Sequence, residues 1–262
     1  MNQRREAILR EMGLGPLWKL RQPAVEDVAV PDAVAEMSMH GRDEMAPAPS
    51  DSSLLAAPAP SEPTQPVQAS SSVAALDWPE LEAAIKSCTA CPLCRDRRQA
   101  VPGVGDRQAD WLLVGEGPGA EEDEKGEPFV GQAGKLLDAM LAAIDLKRGE
   151  DVYIANAVKC RPPGNRTPEP EETAACWPYL ERQIDLIKPR LIVALGRPAA
   201  QTLLQQEVKI GSARGRLHEY RGIPVIVTYH PAYLLRNLTD KAKAWEDLVL
   251  ARRTMAGLKP RA

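Results

Sequence analysis

The sequence predicts an α/β fold in which a parallel sheet is covered by helices on both faces. Four short runs rich in Val, Ile and Leu read as strands buried on both sides: residues 111–115, 152–157, 191–195 and 224–228. Helical patterns alternate with them at residues 76–87, 133–143, 169–187, 198–205 and 241–255, as in crossover connections between parallel strands. Each strand also runs into a loop of unusual residues: Glu116-Gly117-Pro118-Gly119, Asn156, Gly196-Arg197 and His230-Pro231. Ligands of open parallel sheets sit beyond the carboxyl ends of the strands, so these four loops mark the expected site.

In chain order, residues 1–21 read as a short amphipathic helix whose apolar side is Ile8, Leu9, Met12, Leu14, Leu17 and Trp18. The N-terminal segment is taken as 1–42. Residues 43–75 are rich in Ala, Pro and Ser, with Pro47, Pro49, Pro58, Pro60, Pro63 and Pro66, a composition that cannot bury a core and predicts a disordered linker. The globular domain is expected over 76–262. Within it, the polar, Gly-punctuated stretch 211–222 reads as a hairpin preceding the last strand.

At 262 residues, 44% hydrophobic and 26% charged, the composition is that of an ordinary water-soluble domain. No apolar run has the length of a membrane span, and Met1-Asn2-Gln3-Arg4-Arg5-Glu6 precedes no apolar segment of the secretory kind. A cytosolic setting follows, where cysteines serve as ligands more readily than as disulfides. The net charge of −3 hides an asymmetry. Residues 1–75 carry 6 Lys and Arg against 10 Asp and Glu; the remainder carries 27 against 26, with Arg clustered near the motifs. Phosphate binding follows local charge rather than the total, so a nucleic-acid partner is not excluded.

The chemistry-bearing residues form two sets. Cys88 and Cys91 make a C-x2-C, and Cys160 and Cys176 a C-x15-C, four thiols that folding can gather around zinc or an iron–sulfur cluster. Buried structural thiols are the plainer reading; Cys94 is a fifth cysteine beside the first pair. The second set lies at the strand ends. Gly115-Glu116-Gly117-Pro118-Gly119 lacks the residues of a phosphate loop and suits close approach of backbone to a flat ligand. Glu121, Glu122 and Asp123 read either as a solvated helix start or as a carboxylate that orients water. Phe129, the only Phe of the chain, is a core residue or, between Pro128 and Gly131, a stacking platform for a base. Asn156 caps a strand or pairs with a nucleobase edge. His230, before Pro231 at a strand end, is structural or catalytic.

Taken in order, GEGPG, EED, PFVG, N-x3-C-RPPGNRTP, LIVALGRPAA and HP-x-YLLR, framed by C-x2-C-P and C-x15-C, resemble the family 4 uracil-DNA glycosylases, from about Leu76 to about Met255. The resemblance implies a three-layer α/β/α sandwich with a central four-stranded parallel sheet. It implies a [4Fe–4S] cluster held by Cys88, Cys91, Cys160 and Cys176, with no place for Cys94. It implies a monofunctional glycosylase that flips deoxyuridine out of single- or double-stranded DNA and hydrolyses its N-glycosidic bond in base excision repair. In that reading Phe129 stacks on uracil, Asn156 reads its pairing edge, Glu116 and Gly117 line the pocket, Glu122 places water and His230 stabilises the departing base. Arg161 and Arg236 contact phosphates, and the loop tip Tyr233-Leu234-Leu235 wedges into the gap left by the flipped base. Some relatives bind uracil covalently through a basic insertion after the first motif; here Gly131-Gln132-Ala133-Gly134 leads directly into a helix, which favours turnover. The alternative is a non-catalytic iron–sulfur protein that binds DNA or senses redox state. Residues 1–21 are similar to the N-terminal segment of the psi subunit of the bacterial clamp loader, which implies docking on that assembly. A monomer in the bacterial cytosol, associated with the nucleoid, completes the expectation.

Overall fold

A computed structural model describes residues 73–258, all within the unit Glu62–Ala262. The expected N-terminal helix and nearly all of the expected linker lie outside the described residues. Val73, three residues before the expected start of the domain, already packs with Leu81, Ile85 and Ala100.

The sheet has six strands: β1 (Val104–Gly105), β2 (Trp111–Gly115), β3 (Val152–Asn156), β4 (Leu191–Leu195), β5 (Leu217–Tyr220) and β6 (Ile223–Thr228). Their spatial order is β1-β3-β2-β4-β6-β5. The inner four are mutually parallel and match the four expected strands closely; β2, β3 and β4 are buried at every residue. Two antiparallel edge strands extend the expected four to six. β1 is a two-residue pairing on β3, and β5 pairs with β6 through a turn in which Arg221 and Gly222 both have positive φ. The expected hairpin therefore lies later than read: residues 210–213 form a helical turn, and the hairpin uses the last strand as its second arm.

Helices cover both faces because alternate strand residues point to opposite sides. Trp111, Leu113, Val152, Ile154, Leu191, Val193 and Ile226 face α3 (Gln132–Ala142), α7 (Pro231–Arg236) and α8 (Lys241–Gly257), which contribute Leu137, Leu141, Leu234 and Leu248. Leu112, Val114, Tyr153, Ala155, Ile192, Ala194 and Val225 face α4 (Pro170–Ile187) and α5 (Arg197–Leu204), which contribute Leu180, Ile184, Ala200 and Leu203. This is the three-layer α/β/α sandwich. Each fully buried Leu or Ile contributes about 1.5–3 kcal/mol, so the two faces together fix the register of every strand. Outside these layers, α1 (Trp78–Ser87) is started by a capping box between Asp77 and Glu80 and buries Leu81 and Ile85. The short α2 (Ala120–Lys125) and α6 (Ile210–Ala213) complete the α-helices among the described residues.

Candidate active site

The carboxyl ends of β2, β3 and β6 open into one cavity of about 480 Å³. It lies where the chain order reverses across β2, the position at which doubly covered parallel sheets bind ligands. Glu116, Gly117, Glu122, Phe129, Asn156, His230, Tyr233 and Arg236 line it.

Asn156 sits at the back. It ends β3 in register with Gly115, is 2% exposed, and its Oδ1 has no hydrogen-bond partner among the described residues. An unmet buried acceptor costs about 1–3 kcal/mol, which a ligand donor can recover. Gly115 makes the room: a Cβ there would lie 2.4 Å from Asn156 Oδ1 and 2.6 Å from the Phe129 ring. Phe129 is buried with its backbone at φ 56°, and its ring stands 5.4 Å from the His230 imidazole at a 30° tilt.

His230 is the N-cap of α7, with Pro231 at the first helical position. Its Nδ1 accepts from Ala232 N–H at 3.2 Å. Burial lowers its pKa to about 4, helped by Arg236 and opposed by Glu122. The ring is therefore neutral near pH 7, and with Nδ1 occupied as an acceptor the single proton is on Nε2. His230 is built as a hydrogen-bond donor.

Glu122 lies at the cavity wall with both oxygens engaged: Oε2 accepts from Gly119 N–H at 3.1 Å, and Oε1 from Val130 and Gly131 N–H at 3.0 and 3.2 Å. It joins the Glu116 loop to the Phe129 loop, and the remaining carboxylate capacity is all it has for a water molecule. Burial raises the Glu116 pKa, while a hydrogen bond from Thr167 and the nearby Arg197 oppose the rise.

Of the expected DNA contacts, Arg236 is exposed at the cavity rim and Tyr233 lines it, half-buried, with its hydroxyl donated to Asp240 at 2.6 Å. Leu234 is a correction. It is 1% exposed and packs in the core beneath α7, because the expected loop tip is a helical turn that points Leu234 inward. Leu235 (41% exposed) and Leu238 (64%) are the apolar side chains this region presents outward. Arg161 is half-buried, donates to Asn165 at 2.7 Å and does not line the cavity. The loop after it supplies lining residues that sequence reasoning did not single out: Pro162, Asn165, Arg166, Thr167 and Pro168. Arg166 is held by a bidentate pair with Glu172 at 2.8 and 2.7 Å. Their only signal was the RPPGNRTP run itself.

The second set of residues also converges. Cys88, Cys91, Cys160 and Cys176 line one small cavity with Lys159 and Tyr179, and no disulfide joins them. Cys94 closes a 3₁₀ turn at residues 92–94 and does not line it. Among the described residues, no three His, Cys, Asp or Glu side chains are drawn together as ligands of a single metal ion. Burial pushes up the pKa of Cys91, Cys160 and Cys176, the last to about 12, so thiolates there need compensating positive charge. N–H donors point at sulfur: Arg97 Nη1 to Cys160 at 2.8 Å, Lys159 N to Cys176 at 3.2 Å and Ala90 N to Cys88 at 3.4 Å. Four thiols lining a shared space, three of them accepting N–H donors, fit the ligand set of an iron–sulfur cluster. Lys159 links the two sites. Its ammonium, fully buried, donates to Asn156 O at 2.8 Å and Gln183 Oε1 at 2.6 Å, and burial lowers its pKa to about 8.

The sandwich and its strand-end cleft, walled by an aromatic ring, a buried amide and a neutral imidazole, define a nucleobase-binding α/β protein. The profile of the uracil DNA glycosylase superfamily matches residues 102–249. The chain is 45% identical over 183 residues to the type-4 uracil-DNA glycosylase of Pyrobaculum aerophilum, an overlap spanning 67% of this chain and 93% of that protein. It is 49% identical over 161 residues to the type-4 uracil-DNA glycosylase of Thermotoga maritima, covering 61% and 83%. The type-5 uracil-DNA glycosylase of Thermus thermophilus is more distant, at 36% identity over 157 residues, covering 47% and 71%. The chain thus belongs to the uracil DNA glycosylase superfamily, in its type-4 branch.

Proposed function

We propose that the protein excises uracil from DNA by hydrolysing the N-glycosidic bond of a flipped deoxyuridine, leaving an abasic site. The observation that carries this reading is the buried Asn156 Oδ1, without a partner among the described residues, at the back of the strand-end cavity. Uracil offers an N3–H to that oxygen and O4 to the amide N–H, a paired match that the free cavity leaves open. The Phe129 ring supplies the stacking face, while Glu116 and Gly117 close the wall.

The reaction follows from the polarity of the site. As the glycosidic bond lengthens, the sugar becomes oxocarbenium-like and negative charge builds on the base. The neutral His230 donates its Nε2–H to uracil O2 and stabilises that charge without transferring a full proton. Water attacks the sugar from the side of Glu122. Among the described residues no lysine lines the cavity, and the Lys159 ammonium is committed to Asn156 O and Gln183; the reading is a hydrolase without a Schiff base. Cys88, Cys91, Cys160 and Cys176 would hold a [4Fe–4S] cluster, whose contribution is to cross-link the α1 end, β3 and α4. Leu235 stays in the apolar wedge and Leu238 joins it in place of the buried Leu234, with Arg236 and Arg161 on the phosphates.

The site acts on uracil-containing DNA; among the described residues no helix is long and apolar enough to cross a membrane. Residues 1–21 tether this activity to a clamp loader, with the linker raising its local concentration, and a pull-down in which deletion of residues 1–42 leaves clamp-loader binding unchanged would sink that idea. The enzymatic reading is tested by incubating uracil-containing oligonucleotides with protein of full iron content and cleaving abasic sites with alkali. Strand cleavage at uracil is expected; intact strands would refute it and leave the non-catalytic alternative.

A further inference from the structure

We infer that Arg148 is a positioning residue for the reaction: it holds the Phe129 backbone in the left-handed conformation that presents the ring to the base. The inference rests on the glycosylase reading above. Phe129 has φ 56°, a region that bulky side chains rarely occupy and that persists only where the surroundings over-determine it. Here they do. Arg148 Nη1 donates to Pro128 O and Nη2 to Phe129 O, each at 2.9 Å. The remaining edge of the guanidinium is fixed by Asp138, whose Oδ1 accepts from Nε at 2.9 Å. The planar fork thus reads two successive carbonyls, which a lysine ammonium cannot do with the same geometry. On the other side, Glu122 Oε1 takes the N–H groups of Val130 and Gly131. A cation collects the carbonyls and an anion collects the amides, so residues 128–131 are clamped between them. Gly134 closes the clamp from helix α3: a Cβ there would lie 1.8 Å from Phe129 O. Arg148 itself does not line the cavity, and its side chain is 24% exposed, so it acts through Phe129 rather than on the substrate.

The test is a double-mutant cycle read by single-turnover uracil excision and by competitive inhibition with free uracil. Arg148→Ala and Arg148→Lys should each lower kcat/KM by about 10- to 100-fold and weaken uracil inhibition in parallel. The Phe129→Ala/Arg148→Ala double variant should be no worse than Phe129→Ala alone, because both remove one platform. Guanidinium ion added to Arg148→Ala should restore part of the lost activity and uracil affinity, and should restore nothing in the double variant. Losses that multiply, or an Arg148→Ala enzyme equal to wild type, overturn the assignment. If Arg148→Ala does not fold, Gly134→Ala displaces the same carbonyl: the same non-additivity with Phe129→Ala supports the clamp, and independent losses overturn it. An inert wild type overturns the glycosylase reading itself, whereas an active wild type with an indifferent Arg148 overturns only the positioning role.

Discussion

At the scale of single residues, the site works by subtraction as much as by addition. Gly115 contributes nothing but space, and that space is shared by Asn156 Oδ1 and the Phe129 ring. Gly115→Ala should therefore lower uracil excision by about 100-fold, as expected when a reacting group is misplaced by roughly 1 Å, while iron content and visible absorption stay those of the wild type. His230 makes a prediction about pH. Its folded-state pKa is lowered from 6.5 to about 4, so the neutral donor persists well into acid. The acid limb of kcat/KM assigned to this group should fall near pH 4 rather than near 6.5, and should be absent from the residual activity of His230→Gln. For stability the sign is the same: the unfolded chain takes up the proton first, so this contribution is complete above about pH 6.5 and is lost as pH falls towards 4. Acid unfolding of wild type and His230→Gln, followed by circular dichroism, measures it.

At the scale of elements, α7 shows why a short helix is hard to read. Six residues beginning at Pro231 give less than two turns of pattern, and HP-x-YLLR reads equally as a loop tip. The helical turn decides which leucine faces in. Leu234→Ala should destabilise the protein by about 2–5 kcal/mol, the range for a core Leu left as a cavity. Leu235→Ala should leave the melting temperature unchanged and lower affinity for an abasic-site duplex; equal stability losses at both positions would contradict the orientation. The long elements were legible for the opposite reason. β2, β3, β4 and β6 are largely apolar runs rich in Val, Ile and Leu because both of their faces are covered, and α4 and α8 are several turns long. β1 has two residues and no side-chain pattern of its own. The cysteine-lined cavity lies between α1, the end of β3 and α4. Cys160→Ser should lower iron content and melting temperature first, with activity following in proportion to the cluster retained.

At the scale of the whole molecule, two sites share one frame and one covalent path. Asn156 and Cys160 stand four residues apart on the same strand end, and Lys159 between them bonds the Asn156 carbonyl while its own N–H serves Cys176. Asn156, Phe129, His230 and the four cysteines could be named from the sequence, because each belongs to a compact run with an unusual composition. Lys159 and Arg148 could not be given roles, and the glycine loop announces a close backbone approach but not the side chains for which Gly115 makes room. The Lys159 partner Gln183 is 24 residues away and the Arg148 carbonyls are 20 and 19 away, so their meaning exists only after folding. The central claim is that the strand-end cleft performs the chemistry and the sulfur-lined cavity only frames it. Its most direct test is single-turnover excision of uracil from an oligonucleotide by wild type and Asn156→Ala, at matched iron content and matched visible absorption. An active wild type and at least about a 100-fold loss in Asn156→Ala with its spectrum intact are expected; equal rates in the two proteins, or a wild type that leaves uracil in place, would place the chemistry elsewhere.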